Sequence, residues 1–336
     1  MSRGLRTDYK RKRNFIPQKK KFFTKENVFL SRMGSILLIP PSKVKSLFSQ
    51  RAVTTIRINP LKGDPDKTID VLKDRGYNLE KVYWAENVFF VRNIDKSEIS
   101  QIQEYKDGLF YIQNLSSILP ALVLNPQKND KILDMCAAPG SKTTHICALV
   151  NNKANIIAND SDPARMNAMR DVLHQFGADA KVCLNDGKIF GSRYTDFFDK
   201  ILLDAPCSGE GLIYLNSNKP LRFWSIKKVN ISSIIQRELI DSAFKALKPG
   251  GILVYSTCTL EPEENEGTIT FLLEKYKNVK IEKIEIDGLK DINRGITKWS
   301  GNTYHQEVSK TIRIKPSSEM MGFYIAKIEK VRPHQT

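Results

Sequence analysis

Residues 131–143 read KILDMCAAPGSKT. An apolar strand, KILDM (131–135), gives way to a turn of small residues and then to the helical pattern KTTHICALV (142–150). Small side chains let a ligand approach the backbone, and the first turn of a helix offers unpaired N–H groups. The same rhythm continues down the chain. NIIAND (155–160), KVCLND (181–186), KILLDAP (200–206) and GILVYSTC (251–258) read as strands. PARMNAMRDVLHQFG and IIQRELIDSAFKALK read as helices between them, the second closed by Pro249-Gly250-Gly251. Short strand-like runs alternating with amphipathic helices argue for an α/β fold: a mainly parallel, doubly wound sheet with helices on both faces. This domain is expected over 109–336, opening with QNLSSILPALVL (113–124) as a buried helix.

Upstream the pattern differs. A short helix over 41–50, TTIRIN (54–59) as a strand, DKTIDVLKDRGY (66–77) as a helix ending near Gly76, and KVYW and NVFFVR as two strands make a small α+β module, expected over 28–108. Residues 1–27 read as a basic tail, with ten Lys and Arg against two acidic residues. They carry half of the chain's net charge of +16, which arises from 53 Lys and Arg against 37 Asp and Glu. Phe15, Phe22 and Phe23 are interleaved with the cations, a composition suited to phosphate attraction and base stacking. A solvated, solubilising tail reads from the same residues equally well. Because the remainder is also basic, a polyanion such as nucleic acid is the most economical partner.

With 41% hydrophobic residues the chain has ample core material, which excludes wholesale disorder. No apolar run is long enough to span a bilayer, and the first 21 residues lack a signal-peptide apolar segment, so a cytoplasmic protein without membrane association is expected. Five scattered cysteines, no C-x-x-C pair and four His favour neither a disulfide framework nor a metal site. A monomer is expected.

Asp134, Asp160, Asp186, Asp204 and Ser256 each fall at or near the carboxyl end of a successive strand. In a doubly wound sheet those ends share one edge, where ligands bind. One such Asp is ordinarily a cap or turn residue; four converging on one edge indicate a cleft. The 134–143 turn has neither G-x-G-x-x-G nor a Walker A loop, since Ser141 precedes Lys142, which disfavours dinucleotides and triphosphates. With Asp160 placed for ribose hydroxyls and Asp186 where an adenine would lie, one adenosine-bearing ligand without a polyphosphate is implied. Cys147 and Cys183 sit in apolar patterns and read as core. Cys207, in DAPCSG, and Cys258, in YSTCT, stand in loops on the cleft edge near Lys142, where a lowered thiol pKa is expected.

DMCAAPGSKT, DKILLDAPCSG, the W-S…Q-R-E-L-I helix, LKPGG, VYSTCTLEPEENE and MGFYIAKI together resemble the Sun-type (NSUN, RsmB/RsmF) family of S-adenosylmethionine-dependent RNA cytosine-5 methyltransferases. The resemblance covers about residues 109–329, and more weakly RINPLK (57–62). It departs at Ser141, where many members have Gly, and the family's optional NusB-like and PUA-like domains are not seen. It implies a Rossmann-like class I methyltransferase domain preceded by an RNA-recognition-like module. It also implies roles: Cys258 as nucleophile toward cytosine carbon 6, Cys207 assisting product release, Asp204 hydrogen-bonding the base, and Lys142 beside them. The turn Cys136, Ala137, Ala138, Pro139, Gly140, Ser141 and Lys142 would hold S-adenosylmethionine, with Asp160 on the ribose, Asp186 on the adenine, and Asp204 at the cofactor edge. The target cytosine would have to leave its stack. Structured RNA is the implied substrate, tRNA favoured over rRNA because the compact form resembles the archaeal tRNA enzymes. A catalytically inactive RNA-binding relative would be marked by loss of Cys258, Asp204 or the turn, and all are present.

Overall fold

The computed structural model describes residues 24–289 and 292–332. Of the basic tail, residues 1–23 lie outside the described residues. Helix α1 (Lys25–Leu37) begins on Thr24, whose hydroxyl accepts from the Asn27 N–H, and is followed by α2 (Pro41–Phe48). The periodic apolar face of α1 places Phe29 edge-on to both Phe48 and Trp224, with ring centroids 5.2 Å apart in each case. This small core also takes Leu221 and Leu260 from the large domain, so α1 and α2 pack there rather than on the small sheet.

The small sheet consists of β1 (Thr54–Ile58), β2 (Leu79–Lys81), β3 (Val88–Val91) and β4 (Phe110–Ile112), in the antiparallel order β2-β3-β1-β4. Helix α3 (Pro65–Asp74) and the single turns α4 (Lys96–Ile99) and α5 (Gln103–Lys106) complete it. KVYW is not a strand beyond Lys81. The hairpin pairs Leu79–Lys81 with Val91–Phe89, so the next residues form its turn and leave Tyr83 exposed. Two residues of RINPLK tie this sheet to the large domain. Buried Arg57 donates to Thr144 Oγ1 at 3.0 Å and to Gln113 Oε1 at 3.2 Å, and Asn59 Nδ2 donates to the carbonyls of Gly108 and Phe176.

After α6 (Leu115–Leu124), strands and helices alternate: β5 (Lys131–Asp134), α7 (Ser141–Leu149), β6 (Asn155–Asp160), α8 (Pro163–Gln175), β7 (Lys181–Leu184), the short α9 (Phe190–Arg193), β8 (Phe198–Asp204), α10 (Ile226–Ala246) and β9 (Leu247–Thr257). Then follow α11 (Glu266–Lys275), β10 (Val279–Glu282), β11 (Ile292–Arg294), a hairpin of β12 (Lys298–Trp299) and β13 (Asn302–Thr303), β14 (Ile312–Ile314) and β15 (Phe323–Lys330). Strands β7-β6-β5-β8-β9 are parallel neighbours, and β15 lies antiparallel against β9 and carries β14 and β10. This is the Rossmann-like arrangement of class I methyltransferases.

Both faces of the sheet are covered, as a parallel sheet requires. Ile132, Leu202 and Val254 point into one core with Leu119 of α6 and Ile146 of α7. Leu133, Ile201, Leu203 and Leu253 point into the other with Ile240, Ala243 and Phe244 of α10. Pro249-Gly250-Gly251 do not close α10. The helix ends at Ala246, its terminal carbonyls at Phe244 and Leu247 taken by buried Lys330 Nζ at 3.1 and 2.8 Å, and the PGG run already belongs to β9. Strand order reverses between β5 and β8, so the loops after these two strands diverge and open a crevice at their carboxyl ends. Among the described residues no helix is long and apolar enough to cross a membrane.

Candidate active site

A cavity of about 1170 Å³ lies at that crevice, walled by Cys136, Ala138, Asp160, Asp186, Asp204, Cys207 and Cys258 among others. Its floor is set by the turn after β5. Ala137 N–H bonds the Asn159 carbonyl at 2.7 Å, Gly140 N–H bonds the Ala137 carbonyl at 2.7 Å, and α7 begins at Ser141. Gly140 has φ 101°, and a Cβ there would meet the Met169 side chain at 3.2 Å, which accounts for glycine at this position. Behind the turn, Thr143 Oγ1 donates to buried Asp134 at 2.7 Å, and burial pushes the Asp134 carboxyl up to about 7.

At the ends of β8 and β9 the polar groups form a chain. Lys142 Nζ donates to Asp204 Oδ2 at 2.7 Å, and Ser256 Oγ donates to Asp204 Oδ1 at 2.7 Å. Burial pulls the Lys142 ammonium down, but Asp204 and then Asp134 outweigh it and the net shift is upward, so Lys142 stays charged. The Cys207 and Cys258 sulfurs are 3.1 Å apart. The Cys207 thiol is not lowered, as its surroundings suggested from the sequence, but raised well above its ordinary value. The sulfur contact with Cys258 is the largest cause, burial follows, and the carboxyls of Glu264 and Glu210 add to it. Such a thiol holds a proton rather than attacking as a thiolate.

Residues 121–329 match the family model for the 16S rRNA methyltransferase RsmB/F. The chain belongs to this family. It is 45% identical over 281 residues to the tRNA (cytosine(49)-C(5))-methyltransferase of Pyrococcus abyssi, covering 83% of this chain and 88% of that one. It is 38% identical over 279 residues to the ribosomal RNA small subunit methyltransferase F of Shewanella amazonensis, covering 82% of this chain but only 58% of that protein. Among solved structures it resembles a methyltransferase homologue from Pyrococcus horikoshii, with TM-score 0.78, 30% identity, and 91% and 95% of the two chains covered. It also resembles NSun6 from the same organism, solved with SFG, with TM-score 0.73, 26% identity, and 92% and 98% covered. As a member of the RsmB/F family the chain is an S-adenosylmethionine-dependent RNA methyltransferase.

In this RsmB/F methyltransferase the residues singled out from the sequence do not all stand alike. Cys136, Ala138, Asp160, Asp186, Asp204, Cys207 and Cys258 face the cavity, whereas Ala137, Pro139, Gly140, Ser141 and Lys142 shape the turn from behind its wall. Asp160 is buried and accepts from Ala138 N–H at 3.2 Å and Asp162 N–H at 3.0 Å, with Arg165 at 3.4 Å. Asp186 is exposed and accepts from Lys188 N–H at 3.0 Å. The wall fits an adenosyl ligand, because it is rich in acceptors toward hydroxyl and amino donors. Buried Asn159, also on the wall, has Oδ1 without a partner while its Nδ2 is tied to the Met135 and Asn185 carbonyls at 3.0 Å. Sequence reasoning missed Asn159, whose only signal is its place before Asp160 at the end of the apolar run Ile156–Ala158. It also missed Arg51, Tyr214 and Phe223 at the far side of the cavity, where the Arg51 guanidinium lies 4.8 Å from the Tyr214 ring centroid and Phe223 is 73% exposed.

Proposed function

We propose that this chain methylates carbon 5 of a cytosine in structured RNA through a covalent cysteine adduct, with tRNA as its substrate. The observation that carries the reading is the pair of sulfurs 3.1 Å apart at the edge where Lys142, Asp204 and Ser256 are linked. Carbon 5 of cytosine is a poor nucleophile until a thiolate adds to carbon 6. Cys258 supplies that thiolate, and Lys142, the ammonium next to it, compensates the charge. Asp204, held at both oxygens, presents a fixed carboxylate toward the ring nitrogen and amino group of an extruded base. When bound, S-adenosylmethionine supplies the methyl on a sulfonium. After transfer, loss of the carbon-5 proton to a base restores the double bond and expels Cys258, and the proton-bearing Cys207 beside it assists that departure.

The tRNA reading is supported by the Pyrococcus abyssi relative, whose length this chain nearly matches, whereas it spans about half of the RsmF relatives. The small four-stranded module, joined through Arg57 to Thr144 of α7, the helix that follows the turn, is suited to hold RNA over the cavity. The test is incubation of the purified protein with radiolabelled S-adenosylmethionine and either transcribed tRNA or small-subunit rRNA, followed by nucleoside mass spectrometry. Formation of 5-methylcytidine in tRNA supports the reading; label only in rRNA, or in another nucleoside, overturns it.

A further inference from the structure

One residue behind each thiol stands a hydroxyl. Ser208 follows Cys207 and Thr259 follows Cys258, and the two hydroxyl oxygens are 3.1 Å apart. Both reach Glu210 Oε2, Ser208 at 2.8 Å and Thr259 in close contact. Ser208 also bonds Glu264, through its hydroxyl and through its N–H at 3.1 Å, while Gln236 of α10 donates to the same carboxyl at 2.7 Å. All of these side chains are buried, Glu210 and Glu264 completely. Four oxygens therefore make four mutual contacts, but two hydroxyls supply only two protons. The remaining contacts need protons carried by the carboxyls.

We infer that Glu210 and Glu264 form a neutral, proton-sharing acid pair that clamps the Cys207 and Cys258 loops together and so positions the two sulfurs. Burial, and then the nearness of Glu210, pushes the Glu264 carboxyl up to about 8, and burial raises Glu210 as well. The charges around the pair do not neutralise it as a carboxylate pair would require. Lys228 is spent on the Ser208 carbonyl at 3.2 Å, the Tyr255 hydroxyl donates to the Glu264 backbone carbonyl at 2.7 Å, and Arg32 pairs with Glu261 and Glu263. Cys207 and Glu261 add further acid groups on the same side. Loss of the shared protons leaves two carboxylates on one hydroxyl, which repel and part the loops. The pair is thus a positioning device whose failure sets an alkaline limit on methyl transfer.

The kinetic part of this inference rests on the cytosine-5 reading; the protonation part does not. In the infrared difference spectrum of the full chain between about pH 6 and 9.5, a carboxylic-acid C=O band should titrate near the Glu264 value and lose amplitude in both Glu264→Gln and Glu210→Gln. A spectrum unchanged by either substitution overturns the neutral pair whether or not the protein methylates RNA. In the methylation assay, Glu264→Gln keeps a neutral hydrogen-bonding group, so turnover at pH 7 should stay within about threefold and the alkaline fall should disappear. Glu264→Ala should lower kcat at least about tenfold with little change in KM for RNA or S-adenosylmethionine. Ser208→Ala, the smallest change, should reproduce the kcat loss. Equal damage from Gln and Ala, or the same alkaline limb in wild type and Glu264→Gln, overturns the positioning role.

Discussion

Two thiols 3.1 Å apart are not interchangeable when an ammonium lies beside one of them. Contact with Cys258 and burial hold Cys207 in its protonated form, while the ammonium of Lys142 lies on the Cys258 side. Cys258→Ala should therefore abolish methylation and form no adduct, whereas Cys207→Ala should accumulate a denaturant-resistant protein–RNA complex. Gel electrophoresis of the two variants with substrate RNA separates these outcomes, and a band from Cys258→Ala instead would exchange the roles. Asp160→Ala should weaken S-adenosylmethionine binding by about 1–3 kcal/mol, read by calorimetric titration, through lost hydrogen bonds and a loosened Ala138 backbone. The aspartates are legible in the sequence because each stands where a run of β-branched and apolar residues ends. Glu264 is not legible. In LEPEENE four acids fall within six residues, a pattern that reads as solvated surface, yet Glu261, Glu264 and Glu266 are completely buried. What hides them is partners far away in sequence: Arg32, Ser208 and Arg313.

At the scale of elements, strands β5 to β9 are legible with their boundaries nearly right because a strand covered on both faces is apolar at consecutive positions. β15 stands out in the sequence only as a motif, since its antiparallel pairing with β9 leaves no local trace. Helix α1 is masked by the basic stretch it adjoins, although Phe29, Met33, Ile36 and Leu37 give it a helical apolar stripe. Its attachment is specific. Arg32 bonds Glu261 at 2.6 Å and Glu263 at 2.7 Å. Arg32→Ala should cost about 2 kcal/mol in urea unfolding, because it removes the hydrogen bonds to buried Glu261 and to Glu263 together. At Gly211 the constraint is steric: a Cβ would lie 1.9 Å from the Gly322 carbonyl oxygen, so the loop carrying Glu210 and the start of β15 meet backbone to backbone. Gly211→Ala should then lower kcat together with the thermal midpoint, measured on one preparation.

For the molecule as a whole, the buried acids set the pH dependence of stability. Asp134 is raised to about 7 and Glu261 and Glu264 to about 8, in each case chiefly by burial, against ordinary values of 3.8 and 4.5. Between these limits the folded chain binds more protons than the unfolded one, so their contribution to stability is fully present at acid pH and is lost as pH rises through about 7 to 8. Thermal midpoints should fall over that interval, and Glu264→Gln should flatten the slope; a midpoint rising across it would contradict the burial assignments. The remaining basic excess concerns RNA. Deleting residues 1–23 should flatten the dependence of log K on log salt by roughly 0.7 to 0.9 for each phosphate that the tail neutralises, with little change in turnover at saturating RNA. An unchanged slope would leave the tail a solubilising segment.

The pairing of Arg32 with Glu261 and Glu263 also has a consequence for the order of biosynthesis. The two partners are separated by 229 and 231 residues. At ribosomal speeds of about 5–20 residues per second, helix α1 waits roughly 10 to 50 s after its own translation before its acceptors exist. Until Leu221 and Trp224 are made, Phe29, Met33 and Ile36 have only α2 from their core to lie against. The apolar stripe of α1 therefore stays largely uncovered while these intervening residues are made. Docking of α1 is thus a late event, set by residues made long after the helix itself.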